Sequence, residues 1–500
     1  MKKLSKSLLI LVCCCLSISQ TIAFCGFYVS QADADLFNES SQVIIVKDGK
    51  RTVITMSNDF KGTVSDFAMI VPVPTVLAEK DIRIADQKIF EKLDAYSGPR
   101  LVEYHDNNPC TPPHADMTLE SVEITSTKNV RANKEVTDKD YGVTIEATYT
   151  VGEYDILILS AKVSDGLEQW LLKNGYTIPD QAQEVLQPYI KSQMKFFVVK
   201  VNLKKQKSSN YRTLRPLQIS FDSDKFMLPI RLGMANATNH QDLIIYALTK
   251  TGRVETTNYR TVNIPTDKNI PQFLKTKDLF GNFYVDLFNK EWERQNQNAV
   301  FLEYAWDLSP RNYVKCDPCV GTPPQVIDLQ EAGVFWLNNP QTLYQESVYF
   351  TRLHVRYNRV NFPQDLQFQS TPNRKNFQGR YIISNPAQGQ LDCTAGQDYI
   401  EDLIKRRKNE LAELAVLTDW QPKNYQFYID DYEHQLKKHP QKNNLFKKGD
   451  KNNFPIIGMI PTANQLLPIL LLLVLLGSLL GFISTIVIRI MYRRRKETIV

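Results

Sequence analysis

An uncharged apolar run near the C-terminus constrains this chain more than any other feature. Residues 466–488 read LLPILLLLVLLGSLLGFISTIVI, without Asp, Glu, Lys or Arg. A helix of this length rises roughly 35 Å at about 1.5 Å per residue, which is enough to cross a hydrocarbon core of about 30 Å. Leucine on every face is also atypical of a helix in a soluble core. The sequence therefore predicts one transmembrane helix at 466–488.

The residues after this helix set its orientation. The tail 489–500 is rich in basic side chains, namely Arg489, Arg493, Arg494, Arg495 and Lys496. Basic residues beside a membrane helix stay on the cytoplasmic side by the positive-inside rule. A basic cytoplasmic tail is therefore predicted, with the bulk of the chain outside the cytoplasm.

Two glycines within the apolar run have a spacing that is typical of helix dimers. Gly477 and Gly481 form a G-x-x-x-G pair, and small residues at this spacing let two membrane helices approach closely. Glycine is also frequent in membrane helices that form no dimer. The pair is thus a candidate contact for a homodimer, with the alternative that it has no partner.

The N-terminus has the parts of a secretory signal. MKKLSKSLLILVCCCLSISQTIA begins with lysines, continues with a short apolar stretch and ends with small residues at Thr21 and Ala23. The apolar stretch is too short to cross a bilayer, which favours a removed signal at 1–23 over a retained anchor. Lipoprotein processing at Cys25 is a further alternative, although Phe24 is bulky for it.

These two ends predict a single-pass protein of the plasma (inner) membrane. Residues 24–425 are the expected extracytoplasmic domain, with a division into two subdomains near 205–215 as one option. Residues 426–465, rich in Lys, Asn and Asp, read as a polar stalk. Of the formal charge of +6, the signal contributes +3 and the tail +4, so the net charge of the exported part is about −1. Without a basic stripe, nucleic acid is not an expected partner.

β-Branched and alternating runs dominate the exported part and predict a β-rich α+β fold with a few packed helices. Residues 42–57 read as a hairpin around an Asp-Gly turn. Residues 154–203 read as a strand, two helices and a strand. Residues 398–417 have an amphipathic helical pattern whose apolar stripe suits packing on a sheet.

Five cysteines follow the signal, at positions 25, 110, 316, 319 and 393. In an oxidising compartment such thiols usually end in disulfides. The disulfide candidates are Cys110, Cys316, Cys319 and Cys393, and Cys25 is the expected leftover of an odd number. The count of cysteines does not fix their pairing.

Two other uses of the Cys-x-x-Cys pair stay open. A redox dithiol usually opens a helix, but Val-Gly-Thr-Pro-Pro after Cys319 cannot continue one. A zinc site would combine Cys316 and Cys319 with His105, Cys110 and His114, although His-x4-Cys-x3-His is not a standard spacing. Structural disulfides are favoured over both, so no cofactor and no catalytic residue is predicted.

One strand-like segment carries a row of basic side chains. In FTRLHVRYNRV, Arg352, His354 and Arg356 alternate and would share one face. Such a face either binds an anionic ligand or is simply solvated, and the second interpretation is favoured. Catalytic motifs such as G-x-S-x-G and H-E-x-x-H do not occur in the sequence.

Several segments together resemble one bacterial family. They include SQVIIVKDGKRTVITMSNDFKGTVSDFAMIVPVPTVL, YDILILSAKVSDGLEQWLLKNGY, LRPLQISFDSDKFMLPIRLGMAN, EYAWD before KCDPC, TRLHVRYNRVNFPQDLQFQ and FQGRYIISNP. In this order, from about Cys25 to Trp420, they resemble the exported, membrane-anchored family known as domain of unknown function 2330. The resemblance implies a bacterial extracytoplasmic protein and no particular activity.

Two function classes follow. We expect a binding or structural role in the cell envelope, with an unknown envelope protein or polymer as partner. The alternative is an envelope enzyme, either thiol-redox or metal-dependent, that uses Cys316 and Cys319 with His105 and His114. The first is favoured because no catalytic motif is complete.

Overall fold

Two β-sheets packed face to face form the centre of the fold. The structure is a computed structural model, and it describes residues 27–30, 41–58, 67–111, 142–162, 164–174, 182–201, 215–236, 240–311 and 322–430. All of these residues belong to one compact unit, Met1–Asn443. The α+β class predicted from the sequence is confirmed.

The described residues form strands of two to nine residues. In chain order they are β1 (Phe27–Ser30), β2 (Ser41–Asp48), β3 (Arg51–Asn58), β4 (Phe67–Val73), β5 (Ile82–Ile84), β6 (Arg100–His105), β7 (Val143–Val151), β8 (Tyr154–Ala161), β9 (Lys195–Val201), β10 (Leu217–Asp222), β11 (Met227–Leu228), β12 (Gln241–Thr249), β13 (Val254–Thr256), β14 (Arg260–Asn263), β15 (Lys268–Asn269), β16 (Ala299–Asp307), β17 (Tyr349–Tyr357), β18 (Leu366–Ser370), β19 (Phe377–Gln378) and β20 (Arg380–Asn385).

The same residues form α-helices that cover the sheets, with short 3-10 turns between elements. The helices are α1 (Lys88–Ser97), α2 (Ser164–Lys173), α3 (Ala182–Lys191), α4 (Lys277–Arg294), α5 (Val326–Glu331) and α6 (Thr394–Thr418). The 3-10 turns are Glu79–Asp81, Gly233–Asn236, Gln272–Lys275, Phe335–Asn338, Leu343–Gln345 and Pro422–Tyr425.

The large sheet has the strand order β14-β16-β17-β12-β2-β3-β10-β5, with β19 paired to β16. Strands β2 and β3 are the predicted hairpin, and Gly49 in its turn has a φ of +53°, which glycine adopts at little cost. Strand β2 also pairs in parallel with β12. Strands from both sides of residues 205–215 therefore share this sheet, and the subdomain division there stays a prediction.

The small sheet has the order β1-β4-β9-β8-β7. Helices α2 and α3 connect β8 to β9, and these two strands pair antiparallel. The predicted succession of strand, two helices and strand is thus confirmed. Two further sheets of three strands have the orders β11-β18-β13 and β15-β20-β6.

Apolar side chains on both faces of each sheet produce four layers. Between the sheets, Val43 and Ile45 of β2 belong to one core with Ile156 and Phe197 of the small sheet. Helices α1 and α5 cover the outer face of the large sheet, and α2 and α3 cover that of the small sheet. Full burial of one such side chain stabilises the fold by roughly 1.5–3 kcal/mol relative to exposure.

The two longest helices of the described residues lie together. The predicted amphipathic helix is confirmed as α6, and it packs beside α4. Just after α6, Trp420 Nε1 donates a hydrogen bond to Asp286 Oδ2 of α4 at 2.7 Å. Tyr428 falls within the predicted stalk, yet it is buried and its hydroxyl donates to Glu410 Oε2 at 2.7 Å.

No helix in the described part of the chain is long and apolar enough to cross a membrane. The predicted signal 1–23, the span 466–488 and the tail 489–500 lie outside that part, as does the stalk beyond residue 430. The dimer candidates Gly477 and Gly481 lie outside it as well.

Candidate ligand-binding site

A cleft of about 350 Å³ lies between the two sheets at one end of the sandwich. Its walls come from β3, β4, β10 and β11 and from the turn after α3. Most of its lining is apolar: Ile54, Met56, Val71, Pro72, Pro74, Met194, Ile219, Phe221, Met227, Leu228 and Pro229. We name this space the apolar cleft.

Prolines mark the strand ends that border the apolar cleft. Strand β4 ends just before Pro74, and the two-residue strand β11 ends just before Pro229. Proline has no N–H to donate, so it ends a hydrogen-bonded ladder. Both of these prolines line the cleft.

A second cleft of about 430 Å³ adjoins the first. The two share the same four lining residues, Ser192, Met194, Lys225 and Met227. The rest of the second lining is mixed: Pro188, Tyr189, Phe226, Arg231, Thr257, Gln364, Asp365, Gln367 and Phe368. We name it the polar cleft. An apolar cleft and a hydrogen-bonding cleft therefore lie side by side, with these four residues bordering both.

A buried carboxylate fixes the wall of the polar cleft. Asp365 Oδ1 accepts hydrogen bonds from the Tyr189 hydroxyl at 2.6 Å and from the Ile230 amide at 3.0 Å. Its Oδ2 accepts from Arg231 Nη2 at 3.1 Å. Burial, and then the Asp365 charge, raise the pKa of Tyr189 well above its ordinary value, so this phenol stays protonated.

The mouth of the clefts carries charges of both signs, and all but one are paired. Asp222 lies 3.5 Å from Arg51, and Asp224 lies 2.9 Å from Lys50. Lys225 is exposed, and among the described residues no carboxylate lies within ion-pair distance of its ammonium group. An unpaired cation therefore stands at the junction of the two clefts.

The lining of the two clefts combines an apolar majority with a few polar and charged side chains. Apolar walls with a few polar groups at defined places are typical of sites that hold a small molecule.

The basic row on β17 lies elsewhere, beneath α4. Glu303 accepts from Arg352 Nε at 2.6 Å, and its other oxygen lies 2.9 Å from His354 Nδ1. Asp242 lies 3.2 Å from His354 Nε2 and accepts from Arg356 Nη2 at 2.7 Å. We name these five residues the buried ion cluster.

The centre of the buried ion cluster is closed to solvent, and its charges are paired. The Glu303 side chain is 1% exposed, and the Phe288 ring of α4 stacks on His354 with centroids 3.9 Å apart. Burial opposes ionisation of Glu303, but Arg352 and His354 outweigh it and lower the pKa of Glu303 to about 2. Burial likewise opposes the charged form of His354, yet Glu303 and Asp242 raise the pKa of His354. The predicted solvated face is therefore wrong for Arg352 and His354, which carboxylates on β12 and β16 bind beneath a helix. Arg356 stays partly exposed beside Asp242.

Two of the four candidate cysteines form a disulfide. Cys110 and Cys393 are joined by an S–S bond of 2.01 Å, which connects the segment after β6 to the start of α6. Cys393 is the N-cap of α6, and its Sγ accepts from the Gly396 amide at 3.3 Å. A disulfide sulfur is not a thiolate, so Cys110 cannot ligate zinc in this state. The zinc interpretation that includes Cys110 is corrected accordingly.

The remaining residues of the alternative enzyme are not brought together. Cys316, Cys319 and His114 lie outside the described ranges, as does Cys25, so their predicted roles stay predictions. His105 is exposed at the end of β6, opposite Asn385 of β20. Within the described ranges, no group of three or more His, Cys, Asp or Glu side chains could hold a metal ion.

Sequence reasoning missed the clefts entirely. Their lining is drawn from segments that range from Ile54 to Phe368, and no local motif joins these segments. The one local signal is proline next to short strands, as in Pro72-Val73-Pro74 and Leu228-Pro229. Such pairs mark strand ends but do not indicate a cavity.

The comparisons with known proteins agree with the resemblance. A family model described as an uncharacterized protein conserved in bacteria, domain of unknown function 2330, matches residues 19–369. Both clefts lie within the matched range, whereas Cys393 and α6 lie beyond it. No curated protein matches the chain, and no solved structure matches it.

Proposed function

This chain belongs to the bacterial family of domain of unknown function 2330, and we propose that it is a cell-envelope binding protein whose ligand occupies the apolar and polar clefts. The observation that carries the proposal is that an apolar cleft and a polar cleft adjoin, since four residues line both. At about 350 and 430 Å³, each cleft is within the size range of small-ligand sites. A flexible end of a longer envelope polymer would fit the same space.

The proposed location is the plasma (inner) membrane, with the domain 24–425 and the stalk 426–465 outside the cytoplasm. The signal pattern at 1–23, the apolar run 466–488 and the basic tail support it. The Cys110–Cys393 disulfide supports it further, because disulfides persist in oxidising compartments and are rare in the cytosol. The clefts would then face molecules of the envelope, and an envelope protein or polymer is the proposed partner.

Photolabelling of the full chain in lipid nanodiscs tests the proposal. A twelve-carbon alcohol with a diazirine in its chain and an alkyne tag is titrated, irradiated and mapped by peptide mass spectrometry. We expect saturable labelling of β4, of the turn after α3 and of residues 225–229. Labelling that does not saturate, or that spreads evenly over the exposed surface, overturns the proposal.

Two neighbouring residues provide a matched pair of variants. Thr75 lines the apolar cleft and Val76 does not, although both are exposed. We expect Thr75→Trp to obstruct the cleft and to weaken saturable labelling about tenfold, which corresponds to about 1.4 kcal/mol of binding free energy. Val76→Trp adds the same indole outside the cleft and is expected to leave labelling unchanged. Equal effects of the two variants contradict the proposed site.

A further inference from the structure

We infer that the ligand is a single-chain amphipathic anion, with its hydrocarbon chain in the apolar cleft and its charged head at Lys225. This inference rests on the proposed function and names the ligand class for the same site. Three features carry it: the size and lining of the apolar cleft, the unpaired charge at its junction with the polar cleft, and the fixed backbone that presents that charge.

The apolar cleft suits a flexible hydrocarbon chain. Its 350 Å³ would hold roughly twelve methylene-sized groups if each takes the ~30 Å³ that a water molecule occupies in the liquid. Met56, Met194 and Met227 contribute to its lining. Methionine is unbranched and polarisable and adapts to irregular apolar partners, which favours a linear chain over a rigid ring system.

The charge at the junction favours an anion. The other cations near the clefts are engaged: Arg51 with Asp222, Lys50 with Asp224 and Arg231 with Asp365. Lys225 alone lines both clefts while having no carboxylate partner among the described residues. A negatively charged head at the end of a bound chain would meet this ammonium group. Asp222 and Asp224, which also line the apolar cleft, are held by Arg51 and Lys50.

The backbone that carries Lys225 is held in place. The buried Lys47 donates to the Ser223 carbonyl at 2.6 Å and to Thr52 Oγ1 at 3.1 Å. The Lys225 amide donates to Ser223 Oγ at 3.1 Å. Fixing the loop before binding reduces the conformational entropy that the ligand would otherwise have to offset.

The polar cleft accommodates the uncharged part of a head group. Thr257, Gln364 and Gln367 provide hydrogen-bonding side chains there, and the Phe226 and Phe368 rings pack with centroids 5.2 Å apart. The Asp365 carboxylate is saturated by its own partners and does not compete for Lys225. The anion therefore has one cation to bind and several neutral donors beside it.

The experiment compares three photoreactive twelve-carbon probes on the full chain in nanodiscs of neutral lipid: the carboxylate, the phosphate and the alcohol. We expect half-saturation of the cleft peptides at roughly threefold to fivefold lower concentration for an anionic probe than for the alcohol. This is the range that an exposed ion pair provides. A lower half-saturation concentration for the carboxylate or for the phosphate probe shows which of the two head groups the site prefers.

Lys225→Glu tests the residue itself. We expect it to weaken labelling by the anionic probes about tenfold or more and to leave the alcohol unchanged, and added salt is expected to reduce the wild-type preference. Lys423→Glu makes the same charge change at an exposed position outside the clefts and is the control. Equal half-saturation by anion and alcohol overturns this inference and leaves the proposed function standing. Failure of all three probes to label the clefts overturns both.

Discussion

The buried ion cluster and the cleft mouth are two charged regions of the molecule that differ in how far their charges are buried and paired. In the cluster, His354 has a carboxylate at each ring nitrogen, and Phe288 closes it from solvent. At the mouth, Lys225 is exposed and without a carboxylate partner in the described ranges. The cluster contains the residue types that suggest chemistry, yet every charge in it is already satisfied. Unsatisfied charge beside a cavity is therefore the better guide to a site here than residue type.

Removal of the Cys110–Cys393 disulfide is expected to destabilise the fold more than any other change considered below. Cys110 and Cys393 are separated by 283 residues, and closing a loop of this length stabilises a fold by up to about 5 kcal/mol in the chain-entropy account. Because α6 packs beside α4, which covers the buried ion cluster, we expect the Cys110→Ser, Cys393→Ser double variant to increase hydrogen exchange in β16 and β17. We expect exchange in β3 and β4, beside the clefts, to change less.

The measurement is hydrogen exchange followed by mass spectrometry, together with a urea unfolding curve. Reduction of the wild-type protein under non-denaturing conditions serves as the control for the two substitutions. A uniform increase in exchange over both regions would contradict the distinction drawn between them.

Removal of a charge inside the cluster is the next test. Glu303→Gln keeps the shape of the side chain but removes a buried carboxylate that Arg352 and His354 share, so that only Asp94 and Asp242 remain to balance them. We expect this to cost roughly 3–5 kcal/mol in free energy of unfolding. The matched change at the mouth, Asp224→Asn, breaks the exposed pair with Lys50 and is expected to cost at most about 1 kcal/mol. Urea titration of both variants compares the two regions, and similar losses would refute the comparison.

Lowering the pH is expected to reduce the stability of the fold, by less than the substitution of Glu303. The pKa of Glu303 is lowered from 4.5 to about 2, so its contribution is present above pH 4.5 and is lost as the pH falls from 4.5 to 2. The loss is on the order of 3 kcal/mol for a shift of this size. The pKa of His354 is raised, so its contribution is present below pH 6.5 and is lost as the pH rises through its folded value.

Thermal unfolding across pH 2–9 measures both losses of stability, the one at acid pH (the acid limb) and the one at higher pH (the alkaline limb). We expect Glu303→Gln to flatten the acid limb and His354→Gln to reduce the alkaline one, with Lys225→Gln as a control that changes neither. An acid limb of unchanged steepness in Glu303→Gln would show that other carboxylates are responsible for it.

Local patterns predicted the local elements, and they failed where partners are distant. The Asp-Gly turn was enough to identify β2 and β3, and the amphipathic stripe identified α6. The alternation of Arg352 and His354 located their shared face but not its burial, because Glu303 and Asp242 are distant in sequence. The disulfide pairing, the large-sheet order and the clefts all depend on contacts of this long-range kind.

The parallel pairing of β2 with β12 has a consequence for biosynthesis. Ser41 pairs opposite Leu243, so β2 acquires its second neighbour only when the ribosome has added roughly two hundred further residues. At typical elongation rates of 5–20 residues per second this interval is about 10–40 s. Throughout it, the Val-Ile-Ile-Val segment of β2 presents an open backbone edge of the kind that recruits other chains. Covering this edge until Thr249 has been synthesised would prevent such pairing.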